Sequence, residues 1–164
     1  MKLRNRKANL TEIVRILLRQ AAFFEGEYYP SEILQENKIL QYEVGADNDE
    51  TFEVNPDNWS NWTISFKPDQ VFDDKVVEVK VRRKYTRAED QKKEAFVQAL
   101  LAAYLLKKPK FEICVINENR EVEYNGEFNT IDYAELANKL LYEAIYRFET
   151  LAAFRPVDVR VNWE

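Results

Sequence analysis

Residues 62–83 read WTISFKPDQVFDDKVVEVKVRR, and the way polar and apolar positions alternate here decides the fold and raises a problem. Side chains point to opposite faces at successive positions of a strand. In the first half Trp62, Ile64, Phe66 and Pro68 share one face, and Thr63, Ser65, Lys67 and Asp69 the other. In the second half Val77, Val79 and Val81 share a face opposite to Glu78, Lys80 and Arg82. The pattern predicts a β-hairpin whose apolar sides meet the core. A two-residue loop at Asp73-Asp74 pairs Phe72 with Lys75 and Val71 with Val76, which sets Asp69 opposite Glu78 and Lys67 opposite Lys80. Directly opposed residues hold their Cβ atoms ~5 Å apart. Two carboxylates at that spacing repel by roughly 3 kcal/mol at an effective dielectric near 20. Either the neighbouring lysines screen them on a solvated face, or a divalent cation lies between them, and magnesium accepts about two carboxylates with several waters. Pro68 cannot donate to a ladder, so an edge, bend or bulge is expected there.

Outward from the hairpin, helices and strands alternate. Ile13, Val14, Leu17, Leu18, Ala21 and Phe24 form a helical stripe that runs toward Gly26. YYPSEILQEN reads as a short helix, and ILQYEV and TFEV as strands around the acidic turn GADNDE. After the hairpin, Thr86 with Glu89 forms a capping box for a helix running to about Lys107, before Pro109. KFEICVIN and REVEYNG are two strands joined by a turn at ENR, and the long segment from Thr130 to Phe154 is an amphipathic helix. Tyr142 and Tyr146 on that helix suit core or dimer packing, with base stacking as the other use of exposed tyrosines. The closing VDVRVNWE alternates as an edge strand would. The order predicts one α/β (α+β) domain over 1–164, a mixed sheet flanked by helices.

Composition removes whole classes of chemistry. The 164 residues include no histidine, one cysteine and three glycines, Gly26, Gly45 and Gly126. Zinc sites of the usual kinds, Ser-His and Cys-His nucleophile pairs, and glycine-rich phosphate loops are therefore excluded. Catalysis would have to rest on carboxylates, lysine, arginine, tyrosine and hard metal ions. Cys114 lies in an apolar run and reads as a buried strand residue. With no disulfide framework an intracellular, cytoplasmic setting is the default. No apolar stretch reaches the ~18–20 residues of a membrane span, and Arg15 and Arg19 interrupt the first apolar helix against a signal-peptide reading. Net charge is −5, yet the charges are segregated. Lys80, Arg82, Arg83, Lys84, Arg87, Lys92 and Lys93 face only Glu89 and Asp90 in their stretch, a local excess of five positive charges. A basic binding face on an acidic protein is permitted.

Pro68-Asp69, a short hairpin, Glu78-Val79-Lys80 and then a helix bearing Gln98 resemble the PD-(D/E)XK nuclease superfamily, in its RecB-like form. The small size is similar to stand-alone nucleases of crenarchaeal viruses. The resemblance implies a restriction-endonuclease-like fold and a metal-dependent deoxyribonuclease acting in DNA repair, recombination, viral replication or host-DNA degradation, in a host cytoplasm if viral. It implies magnesium, replaceable by manganese, held by Asp69, Glu78 and the Val79 carbonyl. Lys80 would position the attacking water, and Gln98 would point into the site from its helix. Arg82, Arg83, Lys84 and Arg87 would grip the DNA backbone, and a homodimer is possible in this superfamily. The acid often supplied by the leading helix is Glu12 or Glu25. Tyr104 lies six residues after Gln98, where many relatives place a tyrosine at four, and the iron–sulphur cysteines of some relatives are absent. The competing reading is a protein that binds nucleic acid or serves structurally on the same fold without turnover.

Overall fold

The computed structural model describes residues 6–18, 50–82, 87–150 and 155–163. The expected helix YYPSEILQEN, the strand ILQYEV and nearly all of the acidic turn lie outside them. β1 (Lys7–Asn9) leads into α1 (Leu10–Leu18), followed by β2 (Phe52–Val54), β3 (Thr63–Phe66), β4 (Gln70–Val71) and β5 (Lys75–Arg82). Then come α2 (Ala88–Leu106), β6 (Lys110–Asn117), β7 (Val122–Asn129), a 3-10 turn (Thr130–Tyr133) and α3 (Ala134–Thr150). The strands form two sheets, β1-β3-β2 and β4-β5-β6-β7.

The hairpin has the expected loop and register but not the expected first strand. The Phe72 amide donates to the Lys75 carbonyl at 2.8 Å, and Val71 pairs with Val76 and Gln70 with Val77. One step further along that register Asp69 falls across from Glu78. There the ladder stops. The predicted strand over 62–69 is cut at Lys67–Asp69, because β3 belongs to the other sheet, parallel to β1 and antiparallel to β2. Lys67 is therefore not laddered opposite Lys80. Pro68 is buried at the crossing point, and a residue without an N–H suits a place where the chain leaves one ladder for another.

The polar side of β5 also turns out to face the interior. β5 runs parallel to β6 over eight residues, from Lys75 with Lys110 to Arg82 with Asn117, and a parallel pair joined by a helix is normally covered on both faces. Val76 joins Phe96, Phe111 and Ile113 in the main core cluster, so α2 lies over the face that also carries Glu78 and Lys80. Val77, Val79 and Val81, expected to be the core face, are buried as well, at 3–4% exposure. Both sides of β5 are inside.

α2 begins one residue later than the capping box predicts. Its N-cap is Arg87, without a side-chain cap bond, and Thr86 lies outside the described residues. At the other end Lys107 takes a left-handed conformation (φ 59°, ψ 38°), and the Lys108 amide donates back to the Ala103 carbonyl at 2.8 Å, a helix stop that ends the chain's turn just before Pro109. α1 buries Leu10, Ile13, Val14, Ile16 and Leu17, and α3 buries Ala137, Leu140, Leu141, Ala144 and Ile145. Tyr142 and Tyr146 are exposed, at 59% and 49%, rather than in the core. Cys114 is half-buried, and burial raises its thiol pKa. Residues 155–163 are not a strand. Val159 is buried and Val157, Val161 and Trp163 pack on the core, so the alternation is real, but it records which side chains are covered rather than a ladder. No helix among the described residues is long and apolar enough to cross a membrane.

Candidate active site

Asp69 and Glu78 are brought together at the end of the β4–β5 ladder. Oδ2 of Asp69 accepts a 2.7 Å hydrogen bond from the Val79 amide, which fixes the carboxylate against the edge of β5 beyond the last laddered pair. The N–H and C=O of one strand residue point to the same edge, so the Val79 carbonyl faces the Asp69 side. Glu78 is 2% exposed, and its Oε1 has no hydrogen-bond partner. Burial first, then the charge of Asp69, raises its pKa well above the usual carboxylate value of about 4.5, and Lys80 opposes the rise. A buried acid with an unspent oxygen beside a second acid is either protonated or shares a cation.

Lys80 follows on the same face of β5, because residues two apart share a side. Its ammonium donates to Gln98 Oε1 at 2.7 Å. Gln98 interrupts a run in which Ala95, Phe96, Val97, Ala99, Leu100 and Leu101 are all buried. Among the described residues it does not bond the backbone as a core glutamine would; it holds the lysine. Asp69, Glu78, Val79, Lys80 and Gln98 thus form one constellation. Sequence reasoning missed Gln91, whose amide donates to the Val81 carbonyl at 3.3 Å. It lies seven residues before Gln98, two helical turns, and this repeat was the available signal.

Other expected participants are placed differently. Glu12 is exposed in the first turn of α1, which Asn9 caps: the Glu12 amide donates to Asn9 Oδ1 at 2.8 Å, and the Glu12 carboxylate accepts from Asn9 Nδ2 at 2.6 Å. Glu25 lies outside the described residues, as do Arg83 and Lys84. Arg82 is engaged side-on with Glu123 of β7, and this pairing raises the guanidinium's pKa and lowers that of Glu123. Arg87 is exposed at the start of α2.

The donor set fits a hard divalent cation. The unpartnered Glu78 oxygen, the Asp69 carboxylate and the Val79 carbonyl are all oxygen ligands, and magnesium is commonly bound through one or two carboxylates with water completing its shell. Among the described residues no group of three His, Cys, Asp or Glu is placed to hold a metal ion, so no third protein carboxylate is in position.

No family model and no curated protein matches the sequence. Solved structures do match. Over 90% of this chain and 92% of its own, the alkaline exonuclease LHK-Exo from Laribacter hongkongensis superposes with a TM-score of 0.51 at 13% identity. Its complex with dAMP gives 0.52 at 10% identity. The crystal structure of SSO0001 gives 0.51 at 16% identity, over 87% of this chain and 78% of the other. At these identities the likeness speaks for the fold: a nuclease-like, restriction-endonuclease-like arrangement of mixed sheets and flanking helices.

Proposed function

We propose that the chain is a metal-dependent deoxyribonuclease of RecB-like type, hydrolysing phosphodiester bonds at the Asp69–Glu78–Lys80 site. The observation that carries this reading is the buried, unpartnered Glu78 oxygen set against Asp69. A fold has little structural use for such an atom, since an unmade hydrogen bond costs about 1–3 kcal/mol. Magnesium, or manganese in its place, would be held by Asp69, Glu78 and the Val79 carbonyl, and what it supplies when bound is Lewis acidity at the phosphoryl group.

The chain's own residues supply the rest. Glu78, in its ionised form, would be a ligand of that ion, and the Val79 amide keeps Asp69 aimed at the same point. Lys80 offers a fixed ammonium where negative charge grows on the phosphate, and preorganised charge of this kind is among the strongest contributions to catalysis. Gln98 holds that ammonium in one rotamer, so little reorganisation is needed on binding. Burial of Glu78 beneath α2 keeps water from screening that carboxylate. Arg87, and Arg83 and Lys84 near it in sequence, would meet the DNA backbone; Arg82 would have to leave Glu123 to do so. The motif also supports the kinship with stand-alone viral nucleases. Purified protein incubated with supercoiled plasmid tests the reading. Nicking is expected with magnesium or manganese and not with EDTA, and Glu78→Ala is expected to abolish it. Wild type that binds DNA and cuts none of it under any divalent cation would overturn it.

A further inference from the structure

Tyr104 has no part in the constellation above. At 100° per residue it sits about 240° around α2 from Gln98, away from Lys80. It lines instead a cavity of about 290 Å³ together with Asp57, Asn58, Trp59, Lys107 and Asn138, over a floor that includes Leu105 and Leu141. None of these residues belongs to the Asp69–Glu78 site.

The chemistry of the lining is specific. Trp59 is half-buried and is steadied by the exposed Tyr142 ring, 6.1 Å away between centroids, so a second aromatic wall stands near Tyr104. Asn58 Nδ2 donates to Asn138 Oδ1 at 3.2 Å, which leaves the Asn58 oxygen as an acceptor and the Asn138 nitrogen as a donor. The Tyr104 hydroxyl makes no hydrogen bond among the described residues. Lys107 is exposed at the rim on its left-handed turn, and Asp57 is also part of the lining. A ligand matched to this lining is flat, presents π-faces, carries both donors and acceptors on its edge, and bears at most one anionic group beside Lys107. The volume lies just under the ~300–1,000 Å³ of small-molecule sites, enough for one nucleotide and too small for a duplex.

We propose that the cavity binds a single nucleobase with its phosphate, a site separate from the hydrolytic one. Trp59 and Tyr104 supply the stacking surface, the Asn58–Asn138 pair reads the base edge, and Lys107 meets the phosphate. An acceptor and a donor offered together match the hydrogen-bonding edge of a base, adenine among them. The proposal rests on the nuclease reading for its source of bases, which is either a free mononucleotide or an unpaired nucleotide in a strand.

Calorimetric titration of the full chain in EDTA tests it with dAMP, 2′-deoxyadenosine, deoxyribose 5-phosphate, a blunt DNA duplex and the same duplex with one bulged adenine. Binding of dAMP and deoxyadenosine but not of the sugar phosphate is expected, about tenfold weaker in the Asn58→Ala/Asn138→Ala variant. Lys107→Asn, which tolerates the left-handed turn, is expected to weaken dAMP and leave deoxyadenosine unchanged. If dAMP shows this dependence, a free nucleotide is the ligand; if only the bulged duplex does, it is a base within a strand. Neither probe depending on Asn58, Asn138 and Lys107 overturns the proposal. Because the readout is binding without a divalent cation, Glu78→Gln is expected to leave it unaltered. A protein that never cuts DNA yet binds dAMP in this manner would refute the hydrolytic reading and not this one.

Discussion

A carboxyl as buried as that of Glu78, with Asp69 beside it, has to be neutral or has to share a positive charge. Its pKa is raised in the folded chain, so its contribution to metal-free stability is fully present below the ordinary value near 4.5 and is lost as pH rises through the folded-state value. Glu78→Gln, which cannot ionise, is therefore expected to melt several degrees above wild type at pH 8 in EDTA, with the gap closing by pH 4. Thermal melts across that range check this; a variant that melts below wild type at pH 8 would mean the glutamate is ionised and already satisfied. Lys80 and Gln98 separate by magnitude. Lys80→Ala is expected to lower kcat by about 10²–10³, the loss of a preorganised charge, whereas Gln98→Ala leaves the ammonium present and costs about tenfold. Single-turnover cleavage rates distinguish the two. Equal losses would make Gln98 as necessary as the charge it holds.

The β4–β5 hairpin shows how far strand patterning can be read. Its loop and register follow from counting out from Asp73-Asp74, and the meeting of Asp69 with Glu78 was legible in that count. Two features were not. Parity sorts side chains into two sets but does not say which set meets α2, and on a strand buried on both faces either could. The change of sheet at Pro68 was announced only as some irregularity, because the partners of β3 are β1, more than 50 residues away in sequence, and β2. β7 offers a test at the same scale. A Cβ added to Gly126 would lie 2.4 Å from the Tyr124 hydroxyl oxygen, and that hydroxyl donates to the Trp163 carbonyl at 3.1 Å. Gly126→Ala should push the ring off Trp163 and cost about 1–3 kcal/mol, read by urea unfolding. An unchanged midpoint would show that the ring moves freely.

Across the whole molecule, one charged residue ties distant segments together. Arg147 on α3 is 5% exposed, donates to the Ile16 carbonyl of α1 at 2.7 Å and to the Arg155 carbonyl at 2.9 Å, and pairs with Glu143 at 2.9 Å. Its position was readable, since it falls on the stripe of Leu140 and Ala144, but its partners lie in segments that sequence spacing cannot bring together. Arg147→Met should destabilise by about 2–4 kcal/mol by stranding two carbonyls, with both α1 and residues 155–163 losing amide protection. Protection lost in α3 alone would contradict that linkage. All of these contacts hold in place a site built around a pair of acids, and the most direct test of its purpose is crystallographic. In crystals soaked with manganese, an anomalous peak is expected between the Asp69 and Glu78 carboxylates and within reach of the Val79 carbonyl, absent in Glu78→Gln. Crystals in which the two carboxyls stay together with no ion between them, and manganese elsewhere or nowhere, would contradict the account.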